Sequence, residues 1–374
     1  MCASSDNSCP AGSSEIFPGL AAYLVLRFGQ EASAASWEPL AAPAKGAKEG
    51  GYGIPYLVRW PCPGGWRRFV LESVRPGGFG HEDRADRAAV VVRAYDDFGS
   101  LPRHIAAVDA GAFRRGGAAV SLAGTEEFFT LTEFCEGAPY ARDFEAILAG
   151  GTLETRDRER AAALAEYLAE IHREPVHHPS YYRRRLRDLV GSGECIAGIA
   201  DSYPSACGFV DEELLHSIER LALSWRYRLR GREERLRTIH GDFHPWNILF
   251  RDGTDFSVLD RSRGRFGDPA DDVAAISVNY LFFALRSAGA FGGPFAELFH
   301  LFWNRYADAS GDAGLEEAIG PQFAFRALVL GNPLWYPRES EKTRRLLFRF
   351  LLSVLEAPRF RPGDLPAYLD RPDP

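Results

Sequence analysis

A chain of 374 residues is too long for one small core, so two domains or lobes are the natural expectation. It is 46% hydrophobic, 25% charged and 13% aromatic with a net charge of -7, which excludes the basic excess of a typical nucleic-acid binder. No segment approaches the roughly 20 apolar residues of a membrane span, and MCASSDNSCP lacks the basic start and apolar run of a signal peptide. The six cysteines stand singly with no CxxC pair, which fits reduced thiols in a cytoplasmic protein and gives no zinc or disulfide framework.

In chain order, residues 1–35 read as an N-terminal extension ending in a short helix, with IFPGLAAYLVLRF (16–28) as a buried helix rather than a span. From 37, SWEPLAAP, IPYLVRW (54–60) and WRRFVLESV (66–74) read as strands joined by Pro/Gly turns. HEDRADRAAVVVRAYDDF (81–98) has the apolar spacing of a helix, and HIAAVDAGAF and EFFTLTEF (127–134) read as two further strands. The pattern then turns helical, with RERAAALAEYLAEIHREP (158–175) stopped by Pro175 and further helices near 181–190, 211–230, 271–287, 294–308 and 341–356. The expected class is α+β: a small antiparallel β lobe with one helix over 36–134, a hinge over 135–140, and a larger, mainly helical lobe over 141–374.

The chemistry concentrates in IHGDFHPWNILF (239–250). His240, Asp242 and His244 have spacing that a metallohydrolase could use, but the remaining histidines form no metal-spaced partner motif. His172 ends an apolar helix and reads as a core or capped residue, while His177–His178 read as a solvated turn and Arg183–Arg185 as a solvated helix face. Downstream, FRDGTDFSVLD reads as a hairpin with an Asp-Gly turn that returns Asp260 beside Asp242 and Asn247. Phosphoryl transfer needs such parts: a carboxylate beside the attacking hydroxyl and oxygen ligands holding Mg²⁺ against the phosphates.

HGDFHPWN, followed by VLD and then GDPADD, resembles the aminoglycoside phosphotransferase and choline kinase group, relatives of the protein kinases. The resemblance implies a two-lobed, protein-kinase-like fold and transfer of phosphate from ATP (or GTP) to a small hydroxylated molecule. By it, Asp242 is the catalytic carboxylate, His240 supports its loop, Asn247 and Asp260 bind Mg²⁺, and Asp268 and Asp272 brace the loop. Nucleotide contacts fall by the same resemblance to the small lobe and hinge, at Lys45, Lys48, Glu72 and Glu133. No nucleic-acid or membrane partner is expected.

One element of the family pattern is missing. The strand position that carries a phosphate-binding lysine holds Glu72, and no lysine occurs between Lys48 and Lys342. Three alternatives remain open: Lys45 or Lys48 substitutes; Arg84 or Arg87 pairs with Glu72 and offers a guanidinium; or the chain is a catalytically inactive nucleotide-binding or regulatory module. For the acceptor, Trp335 and Tyr336 read as core or as an aromatic wall, and Asp268, Asp271 and Asp272 as either loop braces or an attraction for a cationic amino sugar.

Overall fold

The computed structural model describes residues 17–40, 52–205 and 207–372. It divides into two compact units, residues 1–132 and 133–374. Lys45 and Lys48 lie outside the described residues.

The first unit contains helix α1 (Leu20–Phe28), strands β1 (Ser36–Pro39), β2 (Tyr56–Cys62) and β3 (Gly65–Leu71), helix α2 (Arg84–Asp97), and the short strands β4 (Gly111–Phe113) and β5 (Ala119–Ser121). Strands β1, β2 and β3 form an antiparallel sheet in that order, with Val58 opposite Phe69. Alternation on β2 buries Tyr56, Val58 and Trp60 on one face, as a period of two requires. That face packs on Phe17, Leu20 and Leu24, and Phe69 stacks between Trp60 and Phe28 at centroid distances of 5.1 and 5.0 Å. The reading of 127–134 as a strand is overturned. No strand is assigned there, and Phe128, Phe129, Leu131 and Phe134 are exposed. Alternating apolar residues give a strand only where a neighbouring edge accepts its backbone, and this segment has none.

The second unit runs β6 (Ala138–Pro139), α3 (Ala141–Gly150), α4 (Thr155–Ile171), α5 (Pro179–Gly191), α6 (Ile196–Asp201), α7 (Glu212–Leu229), β7 (Arg237–Thr238), β8 (Ile248–Phe250), β9 (Phe256–Val258), β10 (Phe266–Gly267), α8 (Ala270–Ala288), α9 (Gly293–Ser310), α10 (Leu315–Ala318), α11 (Gly320–Gly331), α12 (Glu341–Glu356) and α13 (Leu365–Leu369). Helix α8 is its axis: every residue from Ala270 to Leu285 is buried, the signature of a helix surrounded on all sides. Side chains such as Phe144, Phe243 and Phe302 are fully buried around it, each contributing about 1.5–3 kcal/mol of transfer free energy. No helix among the described residues is long and apolar enough to cross a membrane.

Two ladders position the loops. β7 pairs antiparallel with β10, Thr238 opposite Phe266, which sets residues 239–247 beside 268–272. β8 and β9 form the hairpin expected around Asp252–Gly253, with Ile248 opposite Val258. The α+β class, with a small sheet-bearing unit and a larger helical one, is as expected.

Candidate active site

Asp242 sits on the loop between β7 and β8. The preceding Gly241 has φ +90°, a left-handed conformation that glycine adopts without the Cβ penalty. Asp272, in the first turn of α8, fixes this bend. Its Oδ2 accepts from His240 N at 2.7 Å and its Oδ1 from Gly241 N at 2.7 Å. His172 Nε2 donates to Asp272 Oδ2 at 3.1 Å, and its Nδ1 meets the Tyr306 hydroxyl at 2.9 Å. Burial alone would raise the Asp272 pKa, but the hydrogen bonds and charge of His172 and the two backbone N–H groups hold it below the usual range. His172 is thus a core residue.

Asp268 serves a second brace. Arg235 donates to it with two nitrogens at 2.8 and 2.7 Å, Tyr182 OH at 3.0 Å and Ala270 N at 3.0 Å. Burial opposes its ionisation, yet the Arg235 charge wins and lowers its pKa. His240 closes the turn by accepting Asp242 N at Nδ1, 3.3 Å.

The Asp242 carboxylate meets two groups that the sequence did not flag. Arg326, on α11, hydrogen-bonds Oδ1 and also donates to Gly241 O at 2.9 Å and Asp271 Oδ1 at 2.8 Å. Arg263 Nε stands 3.5 Å from Oδ2, and His244 Nε2 stands 3.7 Å from it. Arg185 completes a closed circuit, bonding Asp271 Oδ2 at 3.3 Å and the Arg263 carbonyl. The solvated-face reading of Arg183–Arg185 therefore fails at Arg185, which turns inward to a buried carboxylate. Burial would raise the Asp242 pKa, but Arg326 first and Arg263 second lower it. Burial lowers the His244 pKa, against the pull of Asp242.

Asn247 donates through Nδ2 to the Asp242 carbonyl at 3.1 Å, which leaves its amide oxygen free of hydrogen bonds. Leu259 N bonds the Asn247 carbonyl at 2.8 Å, so Asp260 follows directly after a residue tied to Asn247. Asp260 is exposed and has φ +56°, a conformation uncommon outside glycine that marks a backbone held for a purpose. One amide oxygen and one carboxylate, both unspent, fit the donor set of Mg²⁺, which takes few protein oxygens and keeps water or phosphate for the rest. Among the described residues no three His, Cys, Asp or Glu side chains are grouped to hold a metal, so the His240–Asp242–His244 metallohydrolase arrangement is not formed.

Glu72 follows the end of β3, and Glu133 begins the second unit; both are exposed. No ion pair joins Glu72 to Arg84 or Arg87. Arg87 instead donates to the carbonyls of His81, Glu82 and Asp83 at 2.8–3.1 Å. Tyr336 is half-buried against Phe282 and Trp246 at 5.4 and 6.3 Å, whereas Trp335 is 58% exposed and not core.

Among curated proteins no relative matches. Similar solved structures include an amicoumacin kinase in complex with AMP-PNP and Ca²⁺ (11% identity, 89% of this chain, 92% of that chain, TM-score 0.40). An ethanolamine kinase of Plasmodium vivax shows 12% identity over 93% of this chain and 83% of that one, TM-score 0.36. A choline/ethanolamine kinase family protein of Mesorhizobium loti shows 14% identity over 89% and 92%, TM-score 0.37. The sequence profile of the phosphotransferase enzyme family (APH) matches residues 63–308, and with that match over well more than half its length the chain belongs to this family.

Proposed function

We propose that the protein transfers the terminal phosphate of ATP or GTP to a hydroxyl of a small molecule, with Mg²⁺ held by Asn247 and Asp260. The observation that carries this reading is the state of Asp242. Its Oδ1 is occupied by Arg326, while Oδ2 accepts no hydrogen bond among the described residues and its ion-pair partners Arg263 and His244 stand 3.5 and 3.7 Å away. An acceptor hydroxyl hydrogen-bonded to Oδ2 would be oriented for in-line attack. The acceptor oxygen then bonds to the γ-phosphorus, the bond to the β-phosphate oxygen breaks, the nucleoside diphosphate leaves, and the hydroxyl proton passes to Asp242. Bound magnesium would supply charge neutralisation on the phosphates.

His240, Asp268 and Asp272 in this reading preserve the loop, and Lys45, Lys48, Glu72 and Glu133 are assigned to the nucleotide. A cytoplasmic setting belongs to the same reading; the described cysteines Cys62, Cys135, Cys195 and Cys207 are all unpaired. The completeness of the Asp242, Asn247 and Asp260 set favours an active enzyme over an inactive nucleotide-binding module. The test is a thermal-shift titration with ATP, GTP and ADP, with and without Mg²⁺, followed by phosphate transfer to a hydroxyl-compound panel. A magnesium-dependent rise in Tm, together with turnover lost in Asp242→Ala, is expected. Nucleotide binding that ignores magnesium, or turnover that survives the substitution, defeats the assignment.

A further inference from the structure

Apart from Asp260, assigned above to Mg²⁺, the aspartates that face the Asp242 loop are spent inside the fold. Asp268 is taken by Arg235, Tyr182 and Ala270 N. Asp271 is divided between Arg326 and Arg185, and Asp272 between His172 and two backbone N–H groups. Even Glu339, behind Tyr336, is paired with Arg286 at 3.0 Å. Glu194 reaches Arg263 through its backbone carbonyl, 3.1 Å from Nη1. A cationic amino group arriving beside Asp242 therefore finds Asp268, Asp271, Asp272 and Glu339 already paired, with Asp260 reserved for the metal in the reading above.

The guanidinium groups are not balanced in the same way. In the circuit Arg185–Asp271–Arg326–Asp242–Arg263, three positive charges face two negative ones. Asp271 and Arg326 are enclosed, and Arg185 is held by Asp271 and the Arg263 carbonyl. Arg263 and His244 are the more open members, with side chains 23% and 28% exposed, and they flank the free Oδ2. The loop RSRGR (261–265) brings no acid; Arg261 is occupied by the carbonyls of Ile239 and Arg265, each at 2.9 Å. Arg326 Nε is a further donor that is buried without a partner. The surroundings of Oδ2 are donor-rich, and the ion-pair circuit through Asp242 and Asp271 carries one excess positive charge.

We infer that the acceptor bears an anionic group, a carboxylate or a phosphate ester, close to the hydroxyl that is phosphorylated, and that Arg263 is its contact. This rests on the phosphotransfer reading above. With the hydroxyl on Oδ2, a substituent one or two carbons away lies within reach of the Arg263 guanidinium, which suits either anion through paired N–H donors. An amine at that place would meet like charge, and a neutral polyol would forgo the charged hydrogen bond.

The experiment uses the full chain with magnesium-nucleotide and charge-matched acceptors: glycerate, glycerol 3-phosphate, glycerol and 3-aminopropane-1,2-diol, then gluconate, glucose 6-phosphate, glucose and glucosamine. Release of nucleoside diphosphate is followed, and phosphorylated product is identified by mass. An anionic member of a set is expected to exceed its neutral and amine counterparts by about tenfold or more in kcat/KM, the size of one charged hydrogen bond. The carboxylate and phosphate arms tell the two anions apart. Arg263→Gln should remove that preference, bringing anionic and neutral acceptors together, while Arg263→Lys keeps part of it. Preference for amines, no turnover of any anionic acceptor, or an Arg263→Gln loss that is equal across all charge classes overturns the inference. The last result would assign Arg263 to the transferred phosphoryl group. Turnover of any acceptor that Asp242→Ala abolishes leaves the phosphotransfer reading standing in each of these cases, whereas absence of magnesium-dependent nucleotide binding defeats that reading itself.

Discussion

Arg326 holds Asp242 from behind: one guanidinium nitrogen bonds Oδ1, while the other bonds the carbonyl of Gly241 at 2.9 Å and Asp271 at 2.8 Å. The contact spans 84 positions of sequence and fixes the carboxylate's rotation, so that Oδ2 is the oxygen left for a substrate. Replacing Arg326 with Gln leaves Asp242 to Arg263 and Asp271 to Arg185, each a longer contact, and a loss of up to about 3–5 kcal/mol of stability is expected in denaturant unfolding. Arg326→Lys keeps the charge but cannot present the planar fork to three acceptors, so its loss should be smaller.

The same pair sets a pH dependence. Burial pushes the Asp242 pKa up, and the charge of Arg326, then Arg263, brings it below the usual value. If Asp242 must be ionised to accept the hydroxyl proton, the acid limb of kcat/KM due to this group lies below the ordinary aspartate value of about 3.9. Removing Arg326 leaves burial less opposed, so in whatever folded fraction of Arg326→Gln remains the limb should move to higher pH. An unmoved limb would mean that Arg326 acts on folding alone.

Asp272→Asn tests the loop brace. Both carboxylate oxygens accept backbone N–H groups at 2.7 Å, and one also meets His172. An amide supplies one acceptor oxygen and turns an NH₂ toward another donor, which leaves buried N–H groups unsatisfied at about 1–3 kcal/mol each. A lowered Tm with turnover reduced more than nucleotide binding is expected, because the displaced segment carries Asp242.

How much of this was legible in the sequence follows from chain distance. Asp242, Asn247, Asp260, Asp268 and Asp272 lie within one run, joined by two short ladders whose turns the sequence marks with Asp-Gly and Gly-Asp-Pro. Arg326 and Arg185 come from helices far along the chain, and nothing in a helical period says which distant carboxylate an arginine will face. Helix α11 (Gly320–Gly331) is not among the helices expected from the sequence, because its near-continuous burial removes the amphipathic alternation that reveals a helix. At 127–134 the alternation is present but the pairing edge is not, so the pattern misled. The apolar spacing at 158–175 and 341–356 gave helices α4 and α12 because each buries one face against α9 or α11 and leaves the other to water.

Asp260→Asn and Asn247→Ala separate metal binding from folding. Asp260 makes no hydrogen bond or ion pair among the described residues, and Asn247 makes one, to the Asp242 carbonyl. Unliganded stability should therefore change by less than about 0.5 kcal/mol for Asp260→Asn, as for a surface substitution, and by about 1 kcal/mol for Asn247→Ala. The magnesium-dependent part of the nucleotide-induced Tm rise should fall sharply in both. A full magnesium response in both variants would remove these residues from the metal site.

Acid stability gives a separate reading of Asp268. Its folded pKa is depressed, with Arg235 overcoming the penalty of burial, so in the window between its folded value and about 3.9 the unfolded chain binds more protons than the native one. Stability from this group is then fully present above the unfolded value and is lost as pH falls through the folded one. Arg235→Gln raises the folded pKa and closes that window. The variant should be less stable at pH 7, by about 3–5 kcal/mol for a broken buried pair, and its stability should fall less steeply with acid, by up to about 1.4 kcal/mol per pH unit for one proton. Urea unfolding at a series of pH values between neutrality and the acid transition reads both quantities. A variant whose slope equals that of the parent would show that Asp268 titrates alike in the folded and unfolded chains, and that Arg235 holds the turn before α8 by shape rather than by charge.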